Sequence, residues 1–392
     1  MSCSWARAGN SRSADYSLER AFGRRFRLYV VNSHGVHPYG GLVLAQDAAT
    51  LSISLNMVEV EPATGSRLQR EMPMDSIPLL SVENIATAYD VIEPCFRDSP
   101  QFEADALNNL FGCQLVLKIE TLNPIRSFKG RGAQYFVSQR TDDTPLVCAS
   151  AGNFGQGMAY SARQRRIPMT VFVNTDASPI KVERMSALGA KVLAVGTQPD
   201  EANAAAAQFA AETNAVLVVD GQEAAIAECA GTIGLELLRY PGELAAVVVP
   251  LGDGALLAGI GCWVKAHSPS TRIVGVSPIG SPALREAWRH GRIVSTPCST
   301  IADALAVQTP FAEAVARLQA CTDEILQVED AALIDGMRLA YRELGLVLEP
   351  GGAAALAALL THGAQFRGQC VAAVLSGGNL TREQMQRWIE CV

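Results

Sequence analysis

Four short segments of the 392-residue chain hold residue types that could do chemistry together. The first, Asn123-Pro-Ile-Arg-Ser-Phe-Lys-Gly-Arg-Gly132, places Lys129 just after a turn and at the mouth of a helix. Burial and the helix N-terminal dipole both lower an amine's basicity, which suits a nucleophile or Schiff-base partner. The second, Ser150-Ala-Gly-Asn-Phe-Gly-Gln-Gly157, lets backbone N–H groups face a carboxylate or phosphate, and Asn153 adds a side-chain donor. The third, Pro250-Leu-Gly-Asp-Gly-Ala-Leu256, is a glycine-spaced loop of the kind that cradles phosphates. The fourth, Ser376-Gly-Gly-Asn379, offers a hydroxyl at the end of an apolar run. Each segment alone reads equally well as an ordinary turn, helix cap or surface lysine.

Position makes them a set. From Leu115 onward, short β-type runs alternate with helical stretches. The expected strands are Leu115–Ile119, Leu146–Ala149, Thr170–Asn174, Lys191–Val195, Val216–Val219, Ala245–Pro250, Arg272–Val276 and Val371–Leu375. Several are continuously apolar, as strands buried on both faces should be. Helix formers fill the intervals, among them Asp200–Thr213, Gln222–Leu238 and Asp330–Leu344. The pattern predicts an α/β chain of two lobes with doubly wound, mostly parallel sheets and an extra N-terminal segment. In such folds ligands sit at strand C-termini, where all four segments fall. An amine, an anion seat, a phosphate cradle and a hydroxyl are what a phosphorylated aldehyde cofactor needs.

Composition narrows the classes. The chain is 49% hydrophobic and carries a net charge of −7, which argues for a large core and against nucleic-acid binding. No apolar run reaches the ~18–20 residues of a membrane span. The ten cysteines are scattered without a CxxC pair, so they read as reduced core residues. His34 and His37 lack nearby thiols or a fitting carboxylate pattern, so no metal site is expected there. The arginine- and serine-rich first 27 residues are interrupted by Asp15 and Glu19 and read as a solvated arm, with the cytoplasm as the default location. Short strand-like stretches at Arg27–Asn32, Gly41–Leu44 and Leu51–Val60 suggest no function.

The order and spacing of the four segments resemble the pyridoxal-phosphate enzymes of the tryptophan-synthase-β fold type, and among them the threonine/serine dehydratases. Lys118–Pro124, Ile301–Val307 and Glu349–Ala353 are further matches, and the likeness runs from about Pro78 onward. It implies residues 1–78 as an N-terminal extension, 79–130 with 222–392 as a larger cofactor-binding lobe, and 131–221 as a smaller lobe. It implies that Lys129 forms the Schiff base with pyridoxal 5'-phosphate and shuttles the Cα proton. Phe128 would pack beside the ring, Asn153 would bond its 3′-oxygen, and Ser376 its pyridine nitrogen. Ser150, Ala151 and Gly152 would bind the substrate carboxylate; Gly252, Asp253, Gly254, Ala255 and Leu256 would hold the phosphate. The implied activity is β-elimination and deamination of L-threonine, L-serine or a related amino acid to a 2-oxo acid and ammonia, in a homo-oligomer (dimer or tetramer). Alternatives are threonine-synthase-like or diamino-acid ammonia-lyase chemistry, or a non-catalytic relative.

The chain also departs from the family pattern. Asp253 and Ala255 replace two glycines of the phosphate loop, and a carboxylate repels a phosphate unless it points away or finds a donor. Phe154 stands where a histidine is usual, and Glu349-Pro-Gly lacks a hydroxyl. Ala151 stands where racemases carry a serine base, so no racemisation is expected. Ser277 stands where metal-activated members place a glutamate, so no divalent cation is expected. The chain ends at Val392, close behind Asn379, which leads us to expect no amino-acid-sensing domain and no feedback inhibition through one.

Overall fold

The computed structural model describes residues 76–390; the strand-like stretches and histidines of the N-terminal segment lie outside them. The first helix, α1 (Val82–Val91), starts at Ser81, whose hydroxyl accepts the Asn84 N–H at 3.2 Å. Then come β1 (Gln101–Glu103), α2 (Asp105–Phe111), β2 (Gln114–Ile119) and α3 (Lys129–Ser138). A run of alternating units comes next: β3 (Leu146–Ala149), α4 (Asn153–Gln164), β4 (Met169–Val173), α5 (Pro179–Ala187), β5 (Lys191–Ala194), α6 (Pro199–Thr213), β6 (Val216–Leu217) and α7 (Ala224–Leu237). The remainder is β7 (Ala246–Pro250), α8 (Ala255–His267), β8 (Arg272–Pro278), α9 (Ala283–His290), α10 (Ala312–Cys321), β9 (Glu324–Val328), α11 (Asp330–Leu344), α12 (Ala354–His362), β10 (Cys370–Leu375) and α13 (Arg382–Met385).

Two sheets form. One has six strands in the order β1-β2-β10-β7-β8-β9, parallel except for β1. The other is parallel throughout, in the order β5-β4-β3-β6. The mixed α/β, mainly parallel architecture expected from the sequence is thus the one found. Its apolar runs have a simple cause. Leu115, Leu117 and Ile119 of β2 pack into one core and Val116 into another, while Val371, Ala373 and Leu375 of β10 oppose Ala372 and Val374 in the same way. Strands covered on both faces need no polar alternation.

All eight expected strands occur, with ends shifted by a few residues. The shortest is β6, where pairing with β3 stops at Leu217 and only the Val218 N–H still bonds the Val147 carbonyl. Two strands carried no apolar signal. The edge strands β1 and β9 each pair with one neighbour. β1 is mostly exposed, and in β9 Ile325 packs into one core and Leu326 and Val328 into the other, but Gln101, Glu103, Glu324 and Gln327 break any run.

Because β2, β10 and β7 are parallel neighbours, their C-terminal ends lie side by side. The turns leading to Lys129, Ser376 and Gly252 therefore start from one edge of the larger sheet. The Ser150 turn comes from β3 in the middle of the smaller sheet.

Candidate active site

The turn before Lys129 is built by Asn123. Its side-chain oxygen accepts the N–H groups of Ile125 (3.1 Å) and Ser127 (3.3 Å), and its amide donates to the carbonyls of Glu120 and Ser127. This folds the chain tightly enough to aim Lys129 inward at the start of α3. The next turn is stitched to it: the Phe128 N–H donates to the Ser376 carbonyl at 3.1 Å, and Ser127 bridges Gly377. The lysine and the serine, far apart in sequence, are held on one backbone framework.

A cavity of about 620 Å³ opens between these turns. Phe128, Lys129, Ser150, Ala151, Gly152, Asn153, Gly252, Asp253, Gly254, Leu256 and Ser376 all line it. Ala255 does not; it is buried at the start of α8 and takes part through its backbone. At the smaller sheet, Gly152 precedes α4, so the first N–H groups of that helix have no carbonyl of their own helix to bond. The Ser150 hydroxyl accepts the Gly152 N–H at 3.2 Å. Gly155 is required by packing, since a Cβ there would lie 2.7 Å from both the Ser150 carbonyl and the Met185 sulfur.

Asn153 and Ser376 are both nearly buried. Asn153 donates to Glu349 at 2.5 Å and accepts from Asn379 at 2.8 Å, which fixes its amide orientation and uses one of its two N–H groups. The Ser376 hydroxyl has no hydrogen-bond partner among the described residues. Burial, with the nearby Asp303 charge, pushes the Glu349 carboxyl up to about 7.

Lys129 departs from the expected chemistry. Its Nζ lies 2.9 and 2.7 Å from the two oxygens of Asp220 and is also ion-paired with Asp253. Burial opposes the charged amine, but the two carboxylates outweigh it and hold Lys129 above its ordinary value, not below. The dipole argument failed because the helix start delivers partial charge while Asp220 and Asp253 bring full ones. Burial and the Asp253 charge push Asp220 up to about 7. For Asp253 burial works the other way from Lys129, and the amine wins, lowering it. Phe128 and Phe154 flank the ammonium at 5.0 and 6.0 Å from their ring centres.

Sequence reasoning missed Asp220 and Lys181. Asp220 had a readable signal, an Asp-Gly pair just after the β6 run, at the kind of strand end where the other four segments were found. Lys181 sits inside α5, where nothing marks it; it is buried, lines the cavity and pairs with Asp303. Among the described residues, no cluster of three or more His, Cys, Asp or Glu side chains is arranged to hold a metal, and no helix is long and apolar enough to cross a membrane.

Known proteins are similar to this chain over most of the described residues. The family model described as "Pyridoxal-phosphate dependent enzyme" matches residues 92–377. An L-threonine ammonia-lyase of Geobacter sulfurreducens is 32% identical over 300 residues, covering 76% of this chain and 75% of its own. An L-threo-3-hydroxyaspartate ammonia-lyase of a Pseudomonas species is 31% identical, covering 78% and 97%. Among solved structures, a threonine deaminase from T.th. superposes with a TM-score of 0.73 at 33% identity, covering 77% of this chain and 99% of that one. A buried amine, a fixed amide and an unpartnered hydroxyl around one cavity fit the polar atoms of pyridoxal phosphate, and with this likeness over most of its length the chain belongs to the pyridoxal-phosphate dependent enzymes.

Proposed function

We propose that this protein carries out β-elimination and deamination of L-threonine, L-serine or a close relative, releasing a 2-oxo acid and ammonia. The observation that carries the reading is the convergence of Lys129, Ser376 and the Ser150–Gly152 turn on one cavity. When bound, the cofactor supplies a carbonyl for amines and a ring that withdraws electrons from Cα. Lys129 would hold the cofactor through its amine and, as the neutral amine, would be the base for the Cα proton. The Ser150 hydroxyl and the N–H groups at the start of α4 bind the substrate carboxylate. Asn153 would hold the 3′-oxygen by its amide and Phe128 would flank the ring. Ser376, a neutral hydroxyl, serves the ring nitrogen without the charge a carboxylate would bring, which favours loss of a β-substituent over transamination.

The phosphorylated-substrate alternative needs spare cations. The cations lining the cavity are Lys129 and Lys181, and both are ion-paired. The diamino-acid alternative has Asp176 and Glu349, the carboxylates of the same cavity outside those ion pairs, to face a β-ammonium. We also read residues 131–221 as the smaller lobe, supported by the smaller sheet's lying between Leu146 and Leu217. The assembly we propose, from the family resemblance, is a homo-oligomer, for which light scattering is the measurement.

The test is a spectrum followed by a substrate panel. Wild-type protein should show a visible cofactor band that Lys129→Ala lacks, and should form a 2-oxo acid from L-threonine or L-serine. A band without any 2-oxo acid from the panel would sink the dehydratase reading, and product from 2,3-diaminopropionate alone would favour the alternative.

A further inference from the structure

The Pro250–Leu256 loop is the segment expected to receive the cofactor phosphate. It enters α8 through Gly254, whose φ of +98° turns the chain into the helix. A helix start reached this way presents unsatisfied N–H groups to an anion. Here one is already answered from within: the Ala255 N–H donates to Asp253 Oδ1 at 2.8 Å, while Asp253 Oδ2 is ion-paired with Lys129. Gly221, next to Asp220, packs against the Asp253 side chain, so a Cβ on it would lie 3.2 Å from the Asp253 Cβ. The charged and titratable groups around Asp253 are Lys129 from α3 and Asp220 from the loop before α7, with Cys148 of β3 near Asp220. Lys181, Asp303, Asp176 and Glu349 line the same cavity.

Resting on that reading of the loop, we propose that Asp253 is a resident anion of the phosphate seat, occupying the helix start and the anchoring amine in the cofactor-free protein and yielding both when the cofactor enters. The carboxylate that the sequence placed in apparent conflict with a phosphate has two donors, and they are groups the cofactor itself must use. Asp253 therefore stabilises the cofactor-free chain, and it penalises the phosphorylated form of the cofactor more than an unphosphorylated one.

Titration of the full-length, cofactor-stripped protein with pyridoxal 5'-phosphate and with pyridoxal separates these effects. Both aldehydes meet the same amine, so the ratio of their affinities isolates the phosphate end. In Asp253→Asn that ratio should rise by about tenfold or more, and the melting temperature of the stripped protein should fall. A ratio unchanged within about twofold, or lowered, overturns the proposal. Asp220→Asn also relieves Lys129 but leaves the helix start alone, so its ratio should stay at the wild-type value. An equal rise in both variants would trace the effect to the amine and overturn the proposal as well. If Asp253→Asn does not fold, inorganic phosphate on the wild-type protein decides: weak competition with pyridoxal 5'-phosphate supports a filled seat, and strong competition overturns it. A wild-type protein that takes up neither aldehyde would instead sink the cofactor site assignment itself.

Discussion

Lys129 sits among groups that share protons. Asp220 and Glu349 hold theirs up to about 7 in the folded chain, against ordinary values of 3.8 and 4.5. Between those limits the folded state binds more protons than the unfolded one, so stability is lost as pH rises through that window. The opposite shift of Asp253 acts below 3.8, and that of Lys129 above 10.5, both outside it. The melting temperature of cofactor-stripped protein should therefore fall from about pH 5 to about pH 8. Asp220→Asn and Glu349→Gln should each flatten that slope, measured by thermal denaturation across buffers. A slope that both variants leave intact would mean that other groups set it.

The elements around the site were largely legible, and the exceptions have causes. Doubly covered strands such as β2 and β10 announce themselves by uninterrupted apolar residues, and the turns after them carried Lys129 and Ser376. Asp220 and Lys181 escaped because their roles depend on which loops meet across two sheets, a property of pairing and not of local pattern. The same holds for Arg131, which looked like one more polar residue after Lys129. It is fully buried and ion-paired with Glu120 and Glu236, with Lys118 on Glu236 as second cation, tying β2 to α3 and α7. Arg131→Met leaves a buried carboxylate uncompensated and should cost about 3–5 kcal/mol in urea unfolding. At the start of α4, Gly155→Ala pushes a methyl against the Ser150 carbonyl and the Met185 sulfur. Overpacking of this kind costs about 1–3 kcal/mol. Since it moves the turn proposed to hold the substrate carboxylate, steady-state kinetics should show a raised KM with kcat largely kept.

At the scale of the whole molecule, the larger sheet is assembled out of sequence order. Its central strand β10 is formed by residues 370–375 and lies between β2 and β7, pairing with Gln114–Ile119 on one side and Ala246–Val248 on the other. Contacts of such long sequence separation are made slowly, because a long loop must close before they form. A fragment ending before Cys370 would leave the facing edges of β2 and β7 unpaired and lack Ser376, so it should bind no pyridoxal 5'-phosphate in a spectroscopic titration and should aggregate. The stitching of Phe128 to Ser376 then has a meaning for biosynthesis. A ribosome emits Lys129 long before the strand that completes its surroundings, so during most of translation the reactive amine exists without its partners. Cofactor capture therefore waits for the synthesis of β10, and any chaperone that guards this protein would have to cover the open gap between β2 and β7 until that strand arrives.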